Sequence, residues 1–227
     1  VRLYANGPRG DTPEAIAESC VRIVENGWGA LKLVGSGPMV GVGMQPDLRA
    51  ARRQIELIRN AVGPEIDILI DCHGRLNPTT AVQLADALDE YDIFFFEEPV
   101  LPEDAAGMKA VKEQITIPVA TGERLFTKWG YRDVLEMGAA DVLQPDLAHC
   151  GGIWEARKIA AVAEVNYAGI APHNPYSWLL TWASIQLDFA IPNFTIQEFL
   201  VDHPPEVERL FVEKFTWEEG GWVAPPG

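Results

Sequence analysis

Ile66-Asp67-Ile68-Leu69-Ile70-Asp71-Cys72-His73 is followed one helical segment later by Ile93-Phe94-Phe95-Phe96-Glu97-Glu98-Pro99, and one further segment later by Pro118-Val119-Ala120-Thr121-Gly122-Glu123-Arg124. Each is a short apolar run, rich in β-branched and aromatic residues, that ends in a carboxylate. Such runs read as buried strands. Asp71 to Glu97 is 26 residues and Glu97 to Glu123 is again 26, so the repeat is one strand plus one helix, and the carboxylate keeps the same place in each.

Working outward, the same period covers the chain. Apolar runs occur at residues 2–6, 30–34, 66–71, 93–97, 118–121, 142–144, 169–172 and 195–198. Helical segments lie between them, several with a recognisable opening. In Asp11-Thr12-Pro13-Glu14 a capping side chain precedes a proline tolerated in the first turn; Pro46-Asp47 and Asn77-Pro78-Thr79 repeat the device. Alternating strands and helices predict a parallel sheet with crossover helices. Eight strands and seven helices in 227 residues favour closure into a TIM-like (β/α)7β barrel over an open doubly wound sheet, because a barrel fills roughly 200 to 250 residues as one unit. A single barrel domain over residues 1–227 is expected.

Composition narrows the function classes. With 48% hydrophobic and 22% charged residues, the chain can bury a sizeable core, and no apolar run approaches the roughly 20 residues of a membrane helix. Val1–Pro8 lacks the basic start and long apolar stretch of a secretory signal, so a cytoplasmic protein is expected. Cys20, Cys72 and Cys150 are scattered and odd in number, which reads as reduced core thiols. A net charge of -15 disfavours nucleic acid, and neither nucleic acid nor membrane is expected as a partner.

Barrel enzymes place their chemistry at the C-terminal ends of the strands. Asp71, Glu97 and Glu123 would therefore converge from three adjacent strands, and three like charges at one point repel unless a cation sits among them. Hard oxygen ligands suit Mg²⁺. An acidic residue opening a βα loop also serves as a helix cap, but a cap has no reason to keep one offset on three neighbouring strands. His73, two residues past Asp71, is expected on the same face of the strand and beside the metal pocket. Asp146 and His173, at the ends of neighbouring strands, suit a carboxylate that orients an imidazole. His149 and His203 read as structural, and Arg75 as a solvated charge or a substrate contact.

With these residues assembled, Asp71-Cys72-His73-Gly74-Arg75, Phe96-Glu97-Glu98-Pro99, Gly122-Glu123-Arg124, Gln144-Pro145-Asp146 with Gly151-Gly152, and Ala171-Pro172-His173 resemble the mandelate racemase subgroup of the enolase superfamily, and within it the galactonate-type acid-sugar dehydratases. The resemblance implies that Asp71, Glu97 and Glu123 bind Mg²⁺, that His173 paired with Asp146 is the base, that His73 is the general acid, and that Glu198 bonds the substrate carboxylate or the enediolate. It implies a hydro-lyase that converts a galactonate-like aldonate, or alternatively a gluconate or an aldarate, into a 2-keto-3-deoxy acid; a non-catalytic barrel is the alternative from another class. Racemase-like members carry Lys-x-Lys on the second strand, whereas Lys32-Leu33-Val34 has valine at the second position, which disfavours two-base racemisation. Lys32 is expected either to touch substrate or a metal ligand, or to snorkel at the barrel mouth. The family's N-terminal capping domain is expected to be absent from this chain, and the resemblance implies a homo-oligomer.

Overall fold

A computed structural model describes residues 1–35, 41–201 and 209, together with the backbone of strands at 216–218 and 221–223. The chain alternates β1 (Leu3–Asn6), α1 (Pro13–Glu25), β2 (Ala30–Val34), α2 (Gln45–Val62), β3 (Asp67–Asp71), α3 (Pro78–Leu88), β4 (Ile93–Glu97), α4 (Ala105–Lys112) and β5 (Val119–Thr121). Two short helices, α5 (Thr127–Gly130) and α6 (Arg132–Met137), precede β6 (Val142–Leu143), which leads through α7 (Gly152–Val165), β7 (Gly169–Ile170) and α8 (Trp178–Ala190) to β8 (Gln197–Leu200). Every strand expected from the sequence is present. The β5–β6 connection holds two helices rather than one, and β8 runs two residues past Glu198.

The expected helix openings are realised. Thr12 Oγ1 accepts the Ala15 N–H at 3.1 Å and Asn77 Oδ1 the Thr80 N–H at 2.9 Å, each just before a first-turn proline. Asp47 acts from inside α2, its carboxylate accepting the Met44 N–H at 3.2 Å.

All neighbouring barrel strands pair in parallel, in the order β7-β6-β5-β4-β3-β2-β1-β8. The remaining gap, between β7 and the approach to β8, is spanned by backbone bonds: the Ile170 N–H donates to the Asn193 carbonyl and the Thr195 N–H to the Ile170 carbonyl, both at 2.8 Å. The sheet is thereby closed, as a barrel requires. Among the described residues no helix is long and apolar enough to cross a membrane.

Two cores follow from period-2 alternation. Side chains directed outward, such as Leu31, Ile70, Phe96 and Leu143, pack with the buried faces of the helices. Those directed inward, Tyr4, Ala30, Leu69, Phe95, Ala120, Val142, Ala171 and Ile196, one from each strand or its flank, fill the barrel. Tyr4 and Phe95 meet edge to face, their centroids 6.1 Å apart. Two residues further along comes the next inward position, and on seven of the eight strands the residue there is polar: Asn6, Lys32, Asp71, Glu97, Gln144, His173 and Glu198; on the fifth it is Gly122. A polar tier thus rests on an apolar plug.

Candidate active site

Asp71 ends β3 and Glu97 ends β4, directly paired across the ladder, while Glu123 follows Gly122 just past β5. Gly122 has φ +141°, and a Cβ there would lie 2.9 Å from the Gln144 backbone nitrogen and from the Tyr131 ring. Only glycine lets the chain swing Glu123 inward at that point. One oxygen from each carboxylate lies within 4.8 Å of the others. Asp71 and Glu97 are buried, Glu123 partly so.

Lys32 is 5% exposed. Its ammonium stands 2.7 Å from Glu198 Oε1, 2.9 Å from Glu97 Oε1 and 3.5 Å from Asp71 Oδ2. Burial pulls the lysine pKa down, but Glu198 and Glu97 outweigh it and raise it well above the ordinary value. Glu198 is pushed up by burial, yet Lys32 and His173 draw it down to about 2. Asn6 Nδ2 and the Asn174 N–H also donate to Glu198, at 2.7 and 2.8 Å. Glu97, by contrast, is raised, first by burial and then by Asp71, with Lys32 opposing. Its Oε2 is buried without a hydrogen-bond partner among the described residues. A buried, orphaned carboxylate oxygen facing two further carboxylates is the donor set a hard divalent cation fits.

His173 lies opposite. Its Nδ1 is 2.8 Å from Asp146 Oδ2, and its Nε2 faces Glu123 Oε2 at 3.2 Å and Glu198 Oε2 at 3.9 Å. The Ala148 and His149 N–H groups donate to Asp146 Oδ1 at 2.7 and 3.1 Å, leaving Oδ2 for the imidazole. Burial lowers the His173 pKa, whereas Glu198, the bond to Asp146 and Glu123 raise it further, so the net shift is upward.

His73 also borders the pocket, by a different route from the one expected. β3 ends at Asp71, and His73 lies in a left-handed turn with φ +52°, so a turn rather than strand alternation directs it. Its Nε2 is 3.2 Å from Asp71 Oδ2, and its backbone N–H donates to Asp71 Oδ1 at 2.8 Å. A cleft of about 260 Å³ opens beside it, lined by Asn6, Arg9, Lys32, Val34, Asp71 and His73. His149 is exposed, its ring near Phe126 and Tyr176; Arg75 is exposed; His203 lies outside the described residues.

Sequence reasoning left Lys32 undecided and missed Asn6, Gln144 and Asn174. Gln144 is fully buried, and among the described residues neither the oxygen nor the nitrogen of its amide has a hydrogen-bond partner. The alternation signal was available: each of Asn6, Lys32 and Gln144 lies two residues past an inward-facing apolar residue of its strand, Tyr4, Ala30 and Val142.

A closed parallel barrel carries three carboxylates converging at its C-terminal mouth, a buried lysine among them and a carboxylate–histidine pair opposite, which together make a candidate cation site at the place where barrel enzymes carry their chemistry. Residues 15–227 match the family model described as "Enolase C-terminal domain-like", and the chain belongs to the enolase superfamily. It is 33% identical over 230 residues to a D-gluconate dehydratase of Thermoproteus tenax, covering 100% of this chain and 46% of that protein. It is 37% identical over 209 residues to a D-xylonate dehydratase of Haloferax volcanii, covering 88% and 51%, and 36% identical over 189 residues to a D-galactonate dehydratase of Variovorax paradoxus, covering 83% and 50%. The chain spans about half the length of the curated relatives it matches. Among solved structures, an enolase-superfamily member from Salmonella Typhimurium superposes with a TM-score of 0.92 at 30% identity, over 99% of this chain and 63% of that one. A mandelate racemase/muconate lactonizing enzyme-like protein from a Roseovarius species gives 0.91 at 34% identity, over 100% and 60%.

Proposed function

We propose that this chain is the catalytic barrel of a Mg²⁺-dependent acid-sugar dehydratase of the mandelate racemase subgroup, converting an aldonate to a 2-keto-3-deoxy acid. The observation that carries the reading is the facing of two devices across one pocket: the Asp71–Glu97–Glu123 carboxylates and the His173–Asp146 pair. Relatives whose names specify gluconate, xylonate and galactonate are named for aldonates, which supports an aldonate as the substrate class and leaves the individual sugar open.

Asp71, Glu97 and Glu123 would hold Mg²⁺, which when bound supplies positive charge to the substrate carboxylate and to the negative charge that develops as the C2 proton leaves. His173 presents Nε2 as the base for that proton. Asp146 fixes the opposite nitrogen and favours the imidazolium that forms. Lys32 and Glu198 hold one another ionised at the pocket floor, where Glu198 serves as an acceptor for a substrate hydroxyl. His73 delivers a proton to the C3 hydroxyl as the C3–O bond breaks, so water departs and the resulting enol tautomerises to the 2-keto acid. Val34, at the mouth where a second lysine would stand, offers no opposing base, so dehydration is favoured over racemisation.

The test is incubation of the chain with Mg²⁺ and a panel of aldonic and aldaric acids, with detection of 2-keto-3-deoxy product, beside His173→Asn and His73→Asn. Product that disappears in both variants is expected. If no acid gives product although Mg²⁺ raises the melting temperature, the residues of this chain hold the ion but do not by themselves carry out dehydration.

A further inference from the structure

Two of the three converging carboxylates are followed at once by residues that bind each other. Glu98 follows Glu97, Arg124 follows Glu123, and the Arg124 fork grips Glu98: Nη2 lies 2.6 Å and Nε 3.0 Å from Oε2, with Nε 3.3 Å from Oε1. Glu98 is fully buried, while the Arg124 side chain is partly exposed. The third strand joins through its turn. The Gly74 N–H donates to the Glu98 carbonyl at 2.7 Å, and the Cys72 N–H to the Glu97 carbonyl at 2.9 Å. Gly74 has φ +63°, and a Cβ there would collide with Arg124 Nη2 and lie 3.2 Å from Leu101 Cα. Glu98 has φ +39° and His73 φ +52°, uncommon conformations for residues other than glycine, which persist where the surroundings over-determine them.

We infer that Glu98 and Arg124, seated against Gly74, form a positioning clamp that sets the spacing of Asp71, Glu97 and Glu123 and thereby the affinity of the site for a divalent cation. The inference rests on reading those carboxylates as cation ligands. Mutually repelling acids on three short strands need something besides the cation to hold their turns in place. A bidentate guanidinium–carboxylate bond fixes both distance and angle. Lysine keeps the charge but lacks the fork. Glu98 and Arg124 touch neither His173 nor Lys32 in any contact described above, while Gly74 is bonded to His73, so the clamp fixes the His73 turn together with the ligand carboxylates.

The test titrates Mn²⁺, followed by paramagnetic resonance of the free ion, and Mg²⁺, followed by calorimetry, into the wild-type chain, Arg124→Lys, Glu98→Gln and Gly74→Ala. Ile58→Val, a trimmed core residue far in sequence from the clamp and fully buried, serves as the control for stability. Residues that support metal ligands typically weaken metal binding by about 10–100-fold when replaced, and that loss is expected in the clamp variants. Ile58→Val should keep wild-type affinity despite a lower melting temperature. Arg124→Lys and Glu98→Gln proteins that fold and bind both ions within twofold of wild type overturn the clamp, whatever Gly74→Ala does. A wild-type chain that binds neither ion overturns the metal reading and the clamp with it.

Discussion

Replacing Lys32 by methionine removes the one cationic side chain described within 4 Å of all three of Glu97, Glu198 and Asp71, while keeping the unbranched stem. Lys32 is 5% exposed and the Glu97 and Glu198 side chains are fully buried, so solvent screening is weak, and removing one partner of a buried pair costs about 3–5 kcal/mol. At roughly 2–4 °C of melting temperature per kcal/mol for a domain of this size, the metal-free protein should melt about 6–20 °C lower. The exposed Arg52–Glu90 pair, 2.6 Å apart with both side chains at least half exposed, is the contrast: Arg52→Met should leave the melting temperature close to wild type. The assay is urea unfolding followed by circular dichroism in chelator, repeated with Mg²⁺. The divalent ion should restore part of the loss, because it answers the same carboxylates, and adding Glu97→Gln to Lys32→Met should also recover stability. A metal-free Lys32→Met protein as stable as Arg52→Met would refute the view that the lysine is the counter-charge of this cluster.

Asp188, on the buried face of α8, has no hydrogen-bond partner among the described residues for either carboxylate oxygen, and burial raises its pKa well above the ordinary value. A folded pKa above the unfolded one means that stability falls as pH climbs past the ordinary carboxyl range of about 4. Asp188→Leu should therefore stabilise the protein at pH 8 and do so less at pH 5; equal effects in urea unfolding at the two values would contradict this. Gly122→Ala, which forces a side chain onto the Gln144 backbone at φ +141°, should lower both melting temperature and Mg²⁺ affinity, and unchanged affinity would show that Glu123 does not depend on that turn. Asp146→Asn should reduce kcat by about 10²–10⁴-fold while calorimetry gives wild-type Mg²⁺ affinity; a kcat within threefold of wild type would remove Asp146 from the mechanism.

The barrel and the three carboxylates were legible in the sequence because both are written in local periodicity: apolar runs of strand length, and an acid at one offset in each unit. His173 and Asp146 were legible because they too sit at strand ends. What escaped notice depends on register or distance. Lys32 reads locally as a lysine free to snorkel, and its burial becomes visible only once β2 is known to run between β1 and β3. Asn6 has its partner Glu198 192 residues away, and nothing near either residue announces the other. For His73 the expected neighbourhood is observed but the stated cause is not, since simple alternation does not foresee a left-handed turn. The Glu98–Arg124 clamp hides in motifs whose preceding residues draw attention first.

The place of β8 beside β1 has a consequence for how the protein comes into being. During synthesis, Asp71, Glu97 and Glu123 have all been made by residue 123, but the partner of Asn6 and Lys32 is residue 198, a further 75 positions along (198 − 123). Until then β1 lacks one of its two neighbours, and the nascent chain carries three converging acids above an unfinished cylinder with an open seam. Such non-local pairing is slow to form and leaves strand edges exposed while it waits. A chain stalled or cleaved short of residue 198 would keep the three converging acids, but would lack the strand that completes the seam beside β1 and the partner that Lys32 meets there.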